Sequence, residues 1–192
     1  MISEKKSGDA FALLGIMSAS LFSILMILAI ADAPGWAFGE DLIEELSASD
    51  SGVYLRSGMA LGGILLAFSS IGIVFNGGRP GKTAEGVLLM ISGILLVWVA
   101  FFEHTDPIHD AALMLFVITF VLAAIASIYD DFTDNRNMMY GSLTIFLLVV
   151  SIGAYAAYEP AMYQVVWIIE AVVWVVARGI NSLCEPTINK RK

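Results

Sequence analysis

Between positions 103 and 110 the chain reads Glu103-His104-Thr105-Asp106-Pro107-Ile108-His109-Asp110, and both of its histidines fall in this one polar octet. Imidazole and carboxylate together suit zinc, manganese or iron. Three protein ligands with an open position would let such a metal activate water. Glu103, His104, Asp106, His109 and Asp110 are therefore candidate ligands to a divalent metal. The histidines stand either side of Pro107 and lack the i, i+4 helical spacing of a HExxH site. The alternative is a solvated loop in which Asp110 caps the next helix, a carboxylate near a helix N-terminus being worth about 0.3 to 1 kcal/mol.

A second candidate is Glu170, inside the last apolar run. An acid at the centre of a bilayer costs roughly 2.5 to 3.5 kcal/mol by insertion scales, so it should face other helices and find a partner. Trp167 and Trp174 share its helical face, and Ser18, Ser20, Ser23 and Tyr155 are candidate partners. Arg178 lies roughly 12 Å further along the helix axis, too far for an ordinary pair. Glu170 reads either as a proton relay or cation site, or as a packing hydrogen bond between helices. Arg56, alone among acids, is expected to pair with Asp50 or with the octet and so tie two loops together.

Other chemistries lack their residues. No Ser-His-Asp set with a nucleophile elbow is present, and the single Cys184 allows neither an internal disulfide nor a cysteine metal site. No lysine lies mid-run for a Schiff base. Asn76-Gly-Gly-Arg-Pro-Gly-Lys-Thr83 ends like a phosphate loop, but Asn76 stands where the first glycine belongs, so it reads as a basic turn. A net charge of -8 argues against nucleic acid.

What must position these residues is a set of apolar helices. Of the 192 residues, 58% are hydrophobic and 15% charged. The apolar residues come in blocks of about 18 to 22, the length that crosses a hydrocarbon core. The blocks predict helices over about 10–31, 55–75, 85–102, 111–129, 139–157 and 161–183 of a single transmembrane domain, 1–192. The first is longer than the roughly 7 to 15 residues of a signal-peptide core and reads as a membrane span. Between the first two spans, Glu40 to Ser47 patterns as a short amphipathic helix on the membrane surface. In the second span Gly58, Gly62, Ser69 and Gly72 form a small-residue face, the kind that lets helices approach closely. Gly62-Gly-Ile-Leu-Leu66 and Ser92-Gly-Ile-Leu-Leu96 look alike, but the segment is too short to be read as a repeat.

Lysine and arginine resist translocation and so set the orientation. Lys5, Lys6, Arg79, Lys82, Arg136, Lys190, Arg191 and Lys192 all fall on one side of a six-span thread, with Arg178 near that boundary. The expected protein is an all-α, polytopic integral membrane protein of the cell membrane, a six-transmembrane-helix bundle with both termini cytoplasmic. Its outer face is then acidic: Asp32, Glu40, Asp41, Glu44, Glu45 and Asp50 in the first loop, the octet acids, and Glu159, against Arg56.

The order of these features resembles a known family. A first span leads to an acidic loop ending Glu45-Leu-Ser-Ala-Ser-Asp50, then come a glycine-rich second span and a "Gly-Ile" third span running into an acid/His turn. This resembles the prokaryotic membrane family catalogued as domain of unknown function 998, over nearly the whole chain. The family's Asp-Leu-Gly and Gly-Ile-Phe-Pro segments are here Leu46-Ser-Ala-Ser and Ala100-Phe-Phe-Glu103. The resemblance implies a compact six-helix fold and a membrane location, and no activity.

Three functions are consistent with the residues. The leading one is non-enzymatic: an accessory subunit or a protein that binds helices or lipid, with a membrane-protein partner or a second copy as its associate. The others are a metal-dependent membrane hydrolase using the octet, and a proton- or cation-coupled carrier using Glu170.

Overall fold

A computed structural model describes residues 2–49, 51–102, 105–133 and 137–184. The described residues form helices and connections only: α1 (Ile2–Ala31), α2 (Ile43–Ala48), α3 (Gly52–Gly77), α4 (Pro80–Phe101), α5 (Pro107–Thr133), α6 (Met138–Ala157) and α7 (Pro160–Cys184). All but α2 are long and apolar enough to cross a membrane. Three of the spans open on proline, whose fixed φ suits a first helical turn and whose missing N–H is not needed there. Gly78 ends α3 in the left-handed region, at φ 61°, where a side chain would be strained.

The six spans close into an antiparallel ring in the order α1, α3, α4, α5, α6, α7 and back to α1. Its exterior is apolar: Phe75 is 79% exposed, Phe101 77% and Ile152 70%. Its interior holds Ser70, Ser92, Ser127, Thr144, Glu85, Asp131 and Arg178, all buried. That inverted pattern is stable only where lipid replaces water outside. The buried hydroxyls bond back to their own helices, Ser70 Oγ to Leu66 O at 2.7 Å and Ser127 Oγ to Ala124 O at 2.8 Å.

The small-residue face of the second span is spent inside the chain. A methyl at Gly58 would meet Leu25 and Phe22 of α1, one at Gly62 would meet Phe22 and Ser18, and one at Gly72 would run into Phe11. The face therefore seats α1 and lends no support to an external partner helix. The two look-alike segments are joined in space: a Cβ on Gly63 would lie 2.5 Å from the Gly93 carbonyl oxygen, and one on Gly93 would lie 2.6 Å from that of Gly63. The α3 and α4 backbones touch there because neither carries a side chain.

Packing in the middle of the ring is aromatic. Phe116 and Phe120 of α5 meet Trp167 of α7 at ring-centroid distances of 5.7 and 5.8 Å, and Phe120 meets Trp174 at 5.0 Å. Edge-to-face pairs of this kind add about 0.5 to 1.5 kcal/mol each beyond area burial. The Trp174 indole N–H also donates to Thr144 Oγ1 on α6 at 3.1 Å.

Candidate functional site

At the end of the bundle where α3 turns into α4, three spans meet through charge. Glu85 lies in the second turn of α4, Asp130 and Asp131 near the end of α5, and Arg178 near the end of α7. Arg178 donates from Nε to Glu85 Oε1 at 2.7 Å and from Nη2 to Oε2 at 2.6 Å, while Nη1 reaches Asp131 Oδ2 at 2.7 Å. All three side chains are almost completely buried. Arg79 pairs with Asp130 at 3.5 Å, and Lys82 lies within electrostatic reach of Glu85 and Asp131. Bidentate guanidinium–carboxylate geometry is the strong form of this contact, and it fixes the register of α4, α5 and α7 against one another. In sequence Arg178 stands near a membrane boundary and the aspartates fall just past the helix expected over 111–129, so their meeting was not foreseen. The available signal was an acid or base inside each of three apolar ends.

At the opposite end the ring encloses a cavity of about 350 Å³. Its walls come from α1, α3, α4, α5 and α7, with Phe22, Met59, Leu66, Val99, Phe116 and Trp167 prominent, and none from α6. The short helix α2 lies over it rather than out along the lipid. Ile43 and Leu46 are buried against the bundle, and Glu44 and Ser47 line the cavity. Gln164 of α7 holds this lid from both sides of its amide, accepting from the Ile43 N–H at 3.0 Å and donating to Glu44 Oε1 at 3.1 Å. Trp36 closes the loop, its indole N–H donating to Leu42 O at 3.1 Å, and Ser51 Oγ donates to Asp32 O at 2.6 Å.

The octet is divided by this cavity. His109 is 3% exposed and lines it, whereas Asp110 is exposed and is not among the lining residues. Asp106, not Asp110, caps α5, its Oδ1 accepting from the Ile108 N–H at 2.8 Å. Glu103 and His104 lie outside the described residues. Among the described residues no three His, Cys, Asp or Glu come together as a metal-ligand set.

Arg56 is exposed and makes no ion pair among the described residues, and Asp50 lies outside them. The first loop is instead tied down by Gln164, Trp36 and Ser51.

Glu170 lines a separate small space of about 30 Å³ between α5, α6 and α7, walled by Phe120, Trp167 and Trp174. Ser151 of α6, one turn from Tyr155, one of the expected partners, lies within interaction reach of its carboxylate and also lines this space. The Glu170 Oε1 is buried with no hydrogen-bond partner among the described residues. The serines of α1 are engaged elsewhere or face outward: Ser18 Oγ donates to Gly62 O at 2.7 Å, Ser23 Oγ to Ala19 O at 2.8 Å, and Ser20 is exposed. Arg178 is committed to Glu85 and Asp131. Phe120, Trp167 and Ala171 form a shared wall between the Glu170 space and the larger cavity.

Compared with known proteins, residues 16–181 match the family described as protein of unknown function (DUF998). The match covers most of the chain, which belongs to that family. No curated protein and no solved structure matches it.

Proposed function

We propose that this member of the DUF998 family is a non-enzymatic membrane protein that binds one apolar, chain-like molecule inside its helix ring. The observation that carries this reading is the cavity under α2. A concave space with apolar walls and a few polar groups at one end is the usual form of a small-molecule site. At about 350 Å³ it is at the small end of such sites, sized for a single chain rather than a whole two-chain lipid. The occupant would enter from the bilayer, which holds apolar chains at high concentration.

The test is photolabelling of the detergent-solubilised protein with a decane-length aliphatic diazirine, mapped by peptide mass spectrometry. Saturable labelling of the segments carrying Phe116 and Trp167, reduced at least fivefold in Leu113→Trp, supports the reading. Labelling confined to lipid-facing positions such as Phe146 and Ile152, unchanged by that filling variant, removes it.

A second reading, a proton- or cation-coupled carrier, is favoured by the unpartnered Oε1 of Glu170 beside a space roomy enough for about one water. Reconstituted vesicles whose proton or cation flux is the same for Glu170→Gln as for the unaltered chain would remove it. Metal-dependent hydrolysis at the 103–110 turn rests on residue types alone. It requires bound zinc, manganese or iron that is lost on changing His104 and His109 to Ala. The distribution of lysine and arginine supports cytoplasmic termini, which would put α2 and the mouth of the cavity on the acidic outer side.

A further inference from the structure

The polar groups around the cavity are unequal in what they can give. His109 Nδ1 lies 3.1 Å from Phe102 O, and a carbonyl oxygen only accepts, so Nδ1 carries the hydrogen. In the neutral ring Nε2 is then a lone-pair acceptor, and it has no partner among the described residues. Glu44 spends Oε1 on Gln164 and keeps Oε2 free of any described donor. Ser47 uses its hydrogen on Glu44 O at 2.6 Å, and Ser18 gives its own to Gly62 O. Against these acceptors stand one remaining N–H of Gln164, the indole N–H of Trp167 deeper in the cavity wall, and the hydroxyl of Tyr163, which can take either role. Among the described residues no lysine or arginine lines the cavity.

Resting on the binding reading above, we propose that the occupant is a single-chain amphiphile whose polar end donates hydrogen bonds, an alcohol or an ammonium group, held by His109 Nε2 and Glu44. A phosphate or carboxylate head would bring negative charge to a carboxylate with no cation beside it, and would leave Nε2 unsatisfied. Buried acceptors without donors are costly, so such heads bind more weakly than a donor head. Taking ~30 Å³ per group, the liquid share of a water molecule, the cavity holds on the order of ten methylene-sized groups.

The experiment measures binding of four probes of similar chain length to the full-length protein in detergent by native mass spectrometry: 1-decanol, decylamine, decanoate and 2-undecanone. The ketone is neutral and accepts only, so comparing it with the alcohol removes the effect of the protein's net negative charge. Decanol and decylamine are expected to bind at least about fivefold tighter than the ketone and decanoate, the size of one hydrogen bond. The preference should shrink in Glu44→Gln and vanish in His109→Phe with Glu44→Gln. Glu44 sits on the half-exposed lid, so its single variant stays informative if the double variant does not fold. Equal binding of all four probes, or a preference that survives Glu44→Gln unchanged, overturns the assignment of the polar end while leaving chain binding intact. Binding of none of them, together with absent interior photolabelling, overturns both.

Discussion

Arg178 and Glu85, 93 residues apart in the chain, close on each other with two parallel hydrogen bonds of 2.7 and 2.6 Å in the interior of the bundle. Asp131 takes the remaining edge of the guanidinium at 2.7 Å. Burying such charges is expensive, and removing one partner leaves the others uncompensated. Arg178→Met should therefore cost on the order of 3 to 5 kcal/mol. Its thermal unfolding in detergent should shift sharply downward, and combining it with Glu85→Gln and Asp131→Asn should restore most of the loss. A triple variant no better than the single one would show that the cluster does not act as a charge-balanced unit.

The Gly63–Gly93 crossing gives a second prediction. Alanine at either position places a methyl against a backbone carbonyl that belongs to a rigid helix, so α3 and α4 must separate. A cost of about 1 to 3 kcal/mol is expected, as for other overpacked interiors. Gly153 has nothing within 4 Å of where its Cβ would be, so Gly153→Ala should be neutral or raise stability by up to about 1 kcal/mol. Parallel melting curves of the three variants check the contrast.

Gln164 ties the lid helix to α7, and its loss should be local. Gln164→Ala removes the acceptor of the Ile43 N–H and the donor to Glu44, each worth about 0.5 to 1.5 kcal/mol. Amide exchange at residues 43–48 should speed up by about tenfold with little change at the Arg178 end. Uniform acceleration over the whole chain would mean that the lid is not an independent unit.

Cys184, the single cysteine and exposed, is a ready reporter of orientation. With the termini in the cytoplasm, a membrane-impermeant maleimide should leave it unlabelled in intact cells and label it fully once they are permeabilised. Labelling of intact cells would reverse the thread and put the cavity mouth inside.

Composition and apolar run length determined on their own that this is a helical membrane protein with six spans, because lipid demands long uninterrupted apolar helices whose backbone groups are satisfied internally. Lysine and arginine placement gave an orientation to test. The order of the acidic loop and the glycine-rich spans pointed to the family. Tertiary structure decided which polar residues meet. Arg178, Glu85 and Asp131 each read as a boundary charge in one dimension, since nothing local to any of them encodes a partner on another helix. His109 and Asp110 are neighbours in sequence, yet successive residues on a helix point in different directions, so one lines the cavity and the other leaves it. Glycine spacing announced a close helix contact without naming its partner, and only the closed ring assigned Gly58 and Gly62 to α1 and Gly63 to Gly93. The cavity itself belongs to no segment, because it is the space that five spans and one short helix leave between them.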